Sequence, residues 1–331
     1  MFLLTPQTIG LLMLAGSVGL ATLVTLALLI AMQFSEKTPM WYYNKGMDAY
    51  HAGRKDKAIA WLLKAINKKS DYVDAHYNLG LLYMQSEQVT EARMHFEHVL
   101  SVKPDDADTL YNLALMDYAD DNLELVTQRL SAIEDLDGDG LYLKGLTYES
   151  LGQEAEAIEA LSAASELSPE NVACFILLGK LYDKAHQPDK AVESFLQVLE
   201  VDPNNLEGNY DISMSYAKLS QWDEALQYSR RAVEIDPHYA KAHNQLGLAC
   251  YCTENYDEAI EHYQLAIQIE PDYANAYNNL GYAYQKAEQY DKAIEMFEAY
   301  IQREEQVSGE TAETREIQEH VEMLKKKLLE A

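Results

Sequence analysis

A pair of small residues repeats along this chain at a nearly fixed distance, and that period limits the fold more than any single residue does. The first stands at Gly46, Gly80, Ala114, Gly145, Gly179, Ser213, Gly247 and Gly281. The second follows each by twelve places, at Ala58, Ala92, Val126, Ala157, Ala191, Ala225, Ala259 and Ala293. The step is 34 residues except for 31 between the third and fourth copies. A period in this range marks a two-helix unit that cannot bury its apolar face alone and must stack on copies of itself. Such a stack offers an extended binding surface rather than a catalytic pocket.

Each position in the period has a mechanical task. Small residues on both helices let them cross closely, Gly or Ala on the first facing Ala on the second. Leu, Tyr and Phe at i, i+3, i+7 spacing form the buried stripe of each helix. Pro104, Pro169, Pro203, Pro237 and Pro271 stop the second helix, since proline lacks the amide hydrogen and blocks the preceding turn. The second copy reads His76-x2-Leu79-Gly80-x2-Tyr83, then Ala92-x3-Phe96 and Pro104; the fifth reads Phe175-x2-Leu178-Gly179-x2-Tyr182, then Ala191-x3-Phe195 and Pro203. This resembles the tetratricopeptide repeat family. In that register the repeats are 39–72, 73–106, 107–137, 138–171, 172–205, 206–239, 240–273 and 274–305. The resemblance implies an all-α fold, an α-solenoid wound as a right-handed superhelix. Repeat three is short, carries Val126 at the second small site, and has Asp120-Asp121-Asn122 in place of a turn glycine. A kink is expected there, dividing repeats 1–3 from 4–8.

Outside the repeats, residues 1–7 read as a short tail, 8–32 as a transmembrane helix and 33–38 as a linker. Residues 8–32 carry no charge, and at 1.5 Å rise per residue they span roughly 36 Å, enough for a bilayer core. A cleaved signal peptide is the rival reading, but the start is uncharged and the apolar run long, which favours a retained single-pass anchor. Lys37, Lys45, Arg54, Lys55 and Lys57 follow the segment and no basic residue precedes it. The positive-inside tendency then puts the repeats on the cytoplasmic side of the membrane. Ala15-x3-Gly19 and Ser17-x3-Ala21 give the anchor a small-residue face on which a homodimer could form. Thr38-Pro39 reads as the cap and first residue of the opening helix. Residues 306–331 read as a C-terminal capping helix, with Ile317, Val321, Leu324 and Leu328 on one face.

The resemblance further implies that the first helix of each repeat lines a concave groove, with its sixth position pointing inward. That position reads Asn44, Asn78, Asn112, Leu143, Leu177, Asp211, Gln245 and Asn279. In relatives a comparable asparagine ladder holds an extended peptide by its backbone, and a carboxamide suits this because it both donates and accepts. The fifth position adds Tyr43, Tyr77, Tyr111, Tyr142 and Tyr210, aromatic anchors of the kind interfaces favour. The plainer account is generic repeat sequence for the asparagines and burial between repeats for the tyrosines. Asp74, Asp108, Asp139 and Glu149 stand at inward positions of the early groove, which argues against an acidic ligand and for a basic or apolar one. Lys180, Lys184, Lys218, Lys241 and Lys286 appear only later.

Two motifs invite ion chemistry. Asp135-Leu136-Asp137-Gly138-Asp139-Gly140 copies the opening of a calcium loop, but Leu146 stands where the closing bidentate Glu belongs, so an acidic turn is the preferred account. His95 and His98 lie one helical turn apart with no further ligand nearby in sequence, and an exposed helix face is expected. The three cysteines imply no disulfide framework and read as core filler. No cofactor motif is present, and once anchor, repeats and cap are set aside no segment is left for a catalytic domain. With 26 basic and 54 acidic residues the net charge is −28, which opposes nucleic acid and suits a basic partner. The sequence therefore reads as a membrane-anchored scaffold or adaptor that holds a protein or extended peptide, for assembly of a membrane-associated complex. A calcium-responsive regulator using residues 135–140, and the non-catalytic binding subunit of an enzyme complex, are the alternatives.

Overall fold

The computed structural model describes residues 37–330, in seventeen helices with no strand among the described residues. The anchor at 8–32, the tail before it and most of the linker lie outside them. No helix among the described residues is long and apolar enough to cross a membrane. Sixteen helices form antiparallel pairs: α1 (Pro39–His51) with α2 (Lys55–Lys68), α3 (Val73–Met84) with α4 (Val89–Val102), and α5 (Ala107–Ala119) with α6 (Leu123–Ser131). Next come α7 (Gly138–Ser150) with α8 (Glu154–Leu167), α9 (Val172–Lys184) with α10 (Pro188–Val201), and α11 (Leu206–Lys218) with α12 (Trp222–Ile235). The last two pairs are α13 (Ala240–Cys252) with α14 (Tyr256–Ile269), and α15 (Ala274–Lys286) with α16 (Tyr290–Ser308); α17 (Ala312–Glu330) follows. The helices group into two compact units that divide between Ile133 and Glu134.

Thr38 caps α1, its hydroxyl accepting from the Trp41 amide at 3.1 Å, with Pro39 as the first helical residue. The small positions act slightly differently from the sequence expectation. In the six repeats whose first small residue is glycine, it faces not the second small residue but the large residue four places beyond that one. A Cβ added to Gly80 would lie 2.6 Å from the Phe96 ring, and one added to Gly281 would lie 2.6 Å from that of Phe297. Ala92 and Ala293, both fully buried, let those rings reach the glycine.

The turn inside repeat three also differs from expectation. Lack of a turn glycine does not set that repeat apart, because Glu87, Asp121, His186, Ser220, Glu254 and Glu288 all hold the same left-handed position, at φ of 57–62°. Gly53 and Gly152 fill it in repeats one and four. What does set repeat three apart is α6, which has 9 residues where the other second helices have 14 or more.

In the first unit one cluster joins Leu62, Ala65, Ala75 and Leu79 across repeats one and two, and a second gathers Phe96, Leu113 and Met116. In the second unit a continuous cluster runs from Leu246 and Tyr263 through Phe297 and Tyr300 to Ile317, Val321 and Leu324 of α17. The terminal helix therefore covers the apolar face that repeat eight would otherwise show to water. Gly309, at φ 70°, ends α16 ahead of it.

Candidate partner-binding face

In the first unit the fifth and sixth positions of the first helices do not stand apart as two ladders; they bond to each other across repeats. Asn78 Nδ2 donates to the Tyr43 hydroxyl at 3.3 Å and to the Asp74 carbonyl, one turn back on its own helix, at 2.7 Å. Asn112 repeats this one step along, donating to the Tyr77 hydroxyl at 3.5 Å and to the Asp108 carbonyl at 2.7 Å. A carboxamide has two N–H hydrogens and an oxygen with two lone pairs. Both hydrogens are spent inside the stack, so the acceptor oxygen is what such a residue retains for a partner. Asn78 and the two tyrosines are half-buried and Asn112 is buried. Asn44, which opens the series, is exposed.

Acidic groups edge this row. Asp74 and Asp108 are exposed in the first turns of α3 and α5. Burial raises the Tyr43 and Tyr77 hydroxyl pKa values, with Asp74 and Asp108 respectively adding to the effect. The hydroxyls thus stay neutral in a negative field. Tyr111 is half-buried on the same helix row.

In the second unit the ladder changes character. Leu143 is buried, and Leu177 and Tyr142 pack against the apolar cluster of repeats four and five. The first helices of repeats five to eight touch one another directly, α9 on α11, α11 on α13 and α13 on α15. Tyr210 meets Tyr239 edge-on at 5.3 Å, and burial drives its hydroxyl pKa far up. Gln245 is buried and donates to the Ser213 carbonyl at 3.3 Å. Asn279 donates to Asn244 Oδ1 at 2.9 Å, reproducing the fifth-to-sixth pairing with asparagine in place of tyrosine.

Asp211 sits in a mixed cluster on α9 and α11. Burial pushes its carboxyl up to about 6 against the pull of the Lys180 ammonium 3.7 Å away. Lys180 also pairs with Glu207, Lys218 with Asp183 at 3.1 Å, and Lys184 with Glu154 at 2.8 Å. These three later lysines are thus engaged with acids of the same unit, and they do not form a clamp for an incoming carboxylate.

The acidic turn at 135–140 is explained by packing. Asp137 is the N-cap of α7, its carboxylate accepting from the Gly140 amide at 2.8 Å, and Asp139 lies in the first helical turn. Asp135, Asp137 and Asp139 are exposed. A Cβ on Gly138 would fall 2.1 Å from Ser168 Oγ, and one on Gly140 would fall 2.6 Å from Leu136 Cδ2. Close approach of the end of α8 accounts for Gly138, and the turn's own Leu136 accounts for Gly140. Among the described residues no three His, Cys, Asp or Glu side chains gather as a metal site would require.

The exposed face expected for His95 and His98 is a correction. His95 is 3% exposed, and His98 is half-buried with its ring stacked 3.9 Å from that of His76. The missed signal was His76, nineteen residues upstream on the facing helix. His76 Nε2 lies 3.0 Å from the Ser70 carbonyl, which can only accept, so Nε2 carries the proton. Its Nδ1 is then bare and accepts from His95 Nδ1–H at 2.9 Å. Repeat seven builds the same pair. His243 Nε2 meets the Pro237 carbonyl at 3.0 Å and His243 Nδ1 meets His262 Nδ1 at 3.2 Å.

Cys174 and Cys250 are buried and Cys252 half-buried, all free thiols. Burial raises the first two to about 11 and about 12, so they remain protonated and inert.

Family models described as tetratricopeptide repeat match residues 206–271 and 239–306, 150–210, and 73–106, and one described as TPR repeat matches 48–87. Together they span 48–106 and 150–306, more than half of the chain. No curated protein matches the sequence significantly. Among solved structures, a crystal structure of MamA is 28% identical with a TM-score of 0.47, over 49% of this chain and 95% of that one. MamA 41-end from Desulfovibrio magneticus RS-1 is 22% identical with a TM-score of 0.49, over 52% of this chain and 97% of that one. YrrB, described as a TPR protein with an unusual peptide-binding site, is 23% identical with a TM-score of 0.40, over 65% of this chain and 95% of that one. With helix pairs repeating in register and family matches in both units, the chain belongs to the tetratricopeptide repeat family.

Proposed function

We propose that the protein is a scaffold that holds an extended, basic segment of a protein partner along the first helices of its repeats. One observation carries the reading. Along α3 and α5 the amide hydrogens of Asn78 and Asn112 are already committed, so the row presents mainly acceptors: the carboxamide oxygens and the carboxylates of Asp74 and Asp108. A row of acceptors suits a chain rich in donors, meaning backbone amides together with Lys or Arg side chains.

Fluorescently labelled Lys- and Arg-rich peptides, with Asp- and Glu-rich peptides as controls, test this by anisotropy on the full-length chain. Basic peptides should bind, and Asp74→Lys with Asp108→Lys should weaken them by at least about tenfold, because like charges now meet. Equal affinity for the variant, or preference for acidic peptides, would reject the reading.

The same proposal places the scaffold on a membrane, held by residues 8–32, with its repeats on the cytoplasmic side. Support comes from the uncharged length of that segment and the basic residues that follow it. Release of the full-length chain from membranes by alkaline carbonate would count against the anchor. Recruitment of partners into a membrane-associated complex is the process such a part serves.

A further inference from the structure

Positive charge is concentrated at one end of this acidic molecule. Residues 37–71 hold eight of its 26 basic residues but only three of its 54 acidic ones, Asp48, Asp56 and Asp71. Two of the three tryptophans lie in the same stretch, and they meet in space. Trp41 on α1 and Trp61 on α2 stand edge-on with ring centres 5.7 Å apart. Tyr42 joins both, at 5.3 Å from Trp41 and 5.9 Å from Trp61. A lysine covers each indole, Lys37 at 4.3 Å from the Trp41 ring and Lys64 at 4.3 Å from that of Trp61. The three rings are only half-buried, both lysines are exposed, and Met40 beside them is 63% exposed.

Repeats two and seven fill the equivalent crossing, the fourth and twenty-third places, with imidazole pairs folded inward. Repeat one puts amphipathic aromatics there and tops them with cations. Indole and phenol rings partition to the boundary between hydrocarbon and headgroups, while nearby ammonium groups are drawn to anionic phosphate.

We infer that this aromatic and lysine cluster of repeat one is a docking surface for an anionic phospholipid bilayer. Charge complementarity selects that occupant. A surface of net positive charge that also offers half-exposed indoles fits a sheet of phosphates with hydrocarbon beneath, and the rest of the chain is too acidic to lie there. The consequence is orientation: repeat one lies flat on the lipid, which fixes how the following helices stand relative to the membrane. The inference goes beyond the anchor of the proposed function, and it is tested separately from it.

Full-length protein carrying Trp222→Phe leaves Trp41 and Trp61 as the emitting residues; the segment 8–32 contains no tryptophan. The protein is reconstituted in vesicles of phosphatidylcholine alone, or of phosphatidylcholine and phosphatidylserine in equal parts, with brominated acyl chains as quenchers. In the anionic vesicles emission should shift to the blue and be quenched. Molar salt, where the screening length is about 3 Å, should reverse both effects. Lys37→Glu with Lys64→Glu should abolish quenching while the chain still floats with the vesicles. Protein that floats with anionic vesicles yet shows unquenched tryptophan overturns the inference and leaves the anchor standing. Quenching with protein that salt then strips from the vesicles supports the docking surface and removes the anchor. Equal quenching in neutral vesicles, or blue emission in detergent that lipid does not change, also overturns it, the second because a protein segment then covers the rings.

Discussion

Individual side chains in this molecule do two different kinds of electrostatic work. Asp117 is buried to 1% side-chain exposure and is held by Arg93 from α4 and Arg129 from α6. Arg93 also reaches Asp120 at 2.8 Å. This cluster ties the short α6 to the helices before it and compensates for its missing turns. Asp117→Ala takes the buried carboxylate from Arg129 and leaves Arg93 only the exposed Asp120, and breaking such a buried pair costs about 3–5 kcal/mol. A fall in unfolding free energy of that size, read by urea titration, with hydrogen exchange accelerated in α4 to α6, is expected; a change below about 1 kcal/mol would mean that water replaces the carboxylate. The imidazole pairs act through pH. Burial holds the His76, His95 and His262 pKa values below the ordinary one, with His95 at about 4. The unfolded chain therefore takes up protons first. The stability these residues contribute is complete above an unfolded pKa of about 6.5 and is lost as pH falls toward 4. Melting temperature should drop across that window, and His95→Phe, which takes the aromatic option that repeat one uses with Tyr42 and Trp61, should flatten the slope. An unchanged slope would show that other groups set the acid limb.

At the scale of elements, the turn between the two helices of a repeat asks for a left-handed residue, and six of the eight turns fill it without glycine. An L residue there costs about 1–2 kcal/mol, while glycine brings an unfolded-state entropy penalty of roughly 0.5–1. Glu254→Gly and Glu87→Gly should each stabilise the fold by about 0.5–1 kcal/mol, read as a rise in thermal midpoint. A loss would mean that the glutamate side chains contribute at the turn. Helix pairing itself was legible in the sequence because the Gly80 and Phe96 type of contact recurs, as a glycine against a large side chain, in six of the eight repeats. The histidine pairs were not legible, because His76 and His95 belong to different helices and pattern reading compares neighbours along one helix. Nor was the spending of the asparagine hydrogens, which depends on a hydroxyl 35 residues away.

For the whole molecule, a net charge of −28 means that the folded chain carries self-repulsion which salt screens. Melting temperature should therefore rise between low and physiological ionic strength by a few degrees, where about 1 kcal/mol corresponds to roughly 2–4 °C for 150–250 residues. A decrease would mean that attractive pairs such as Lys180–Glu207 and Lys218–Asp183 outweigh the repulsion. The period made the solenoid legible at this scale. The break after repeat three was legible as a place, from the 31-residue step, but not the buried Asp117 cluster beside it, because nothing in one copy of the repeat announces a partner in the next. The bond from a tyrosine in one repeat to an asparagine in the next means that the copies are not interchangeable bricks. A second copy of repeat two could be spliced in after the first and still shake hands on both sides. A unit with leucine at that place would give up the grip, so the running order of the units is itself inherited information.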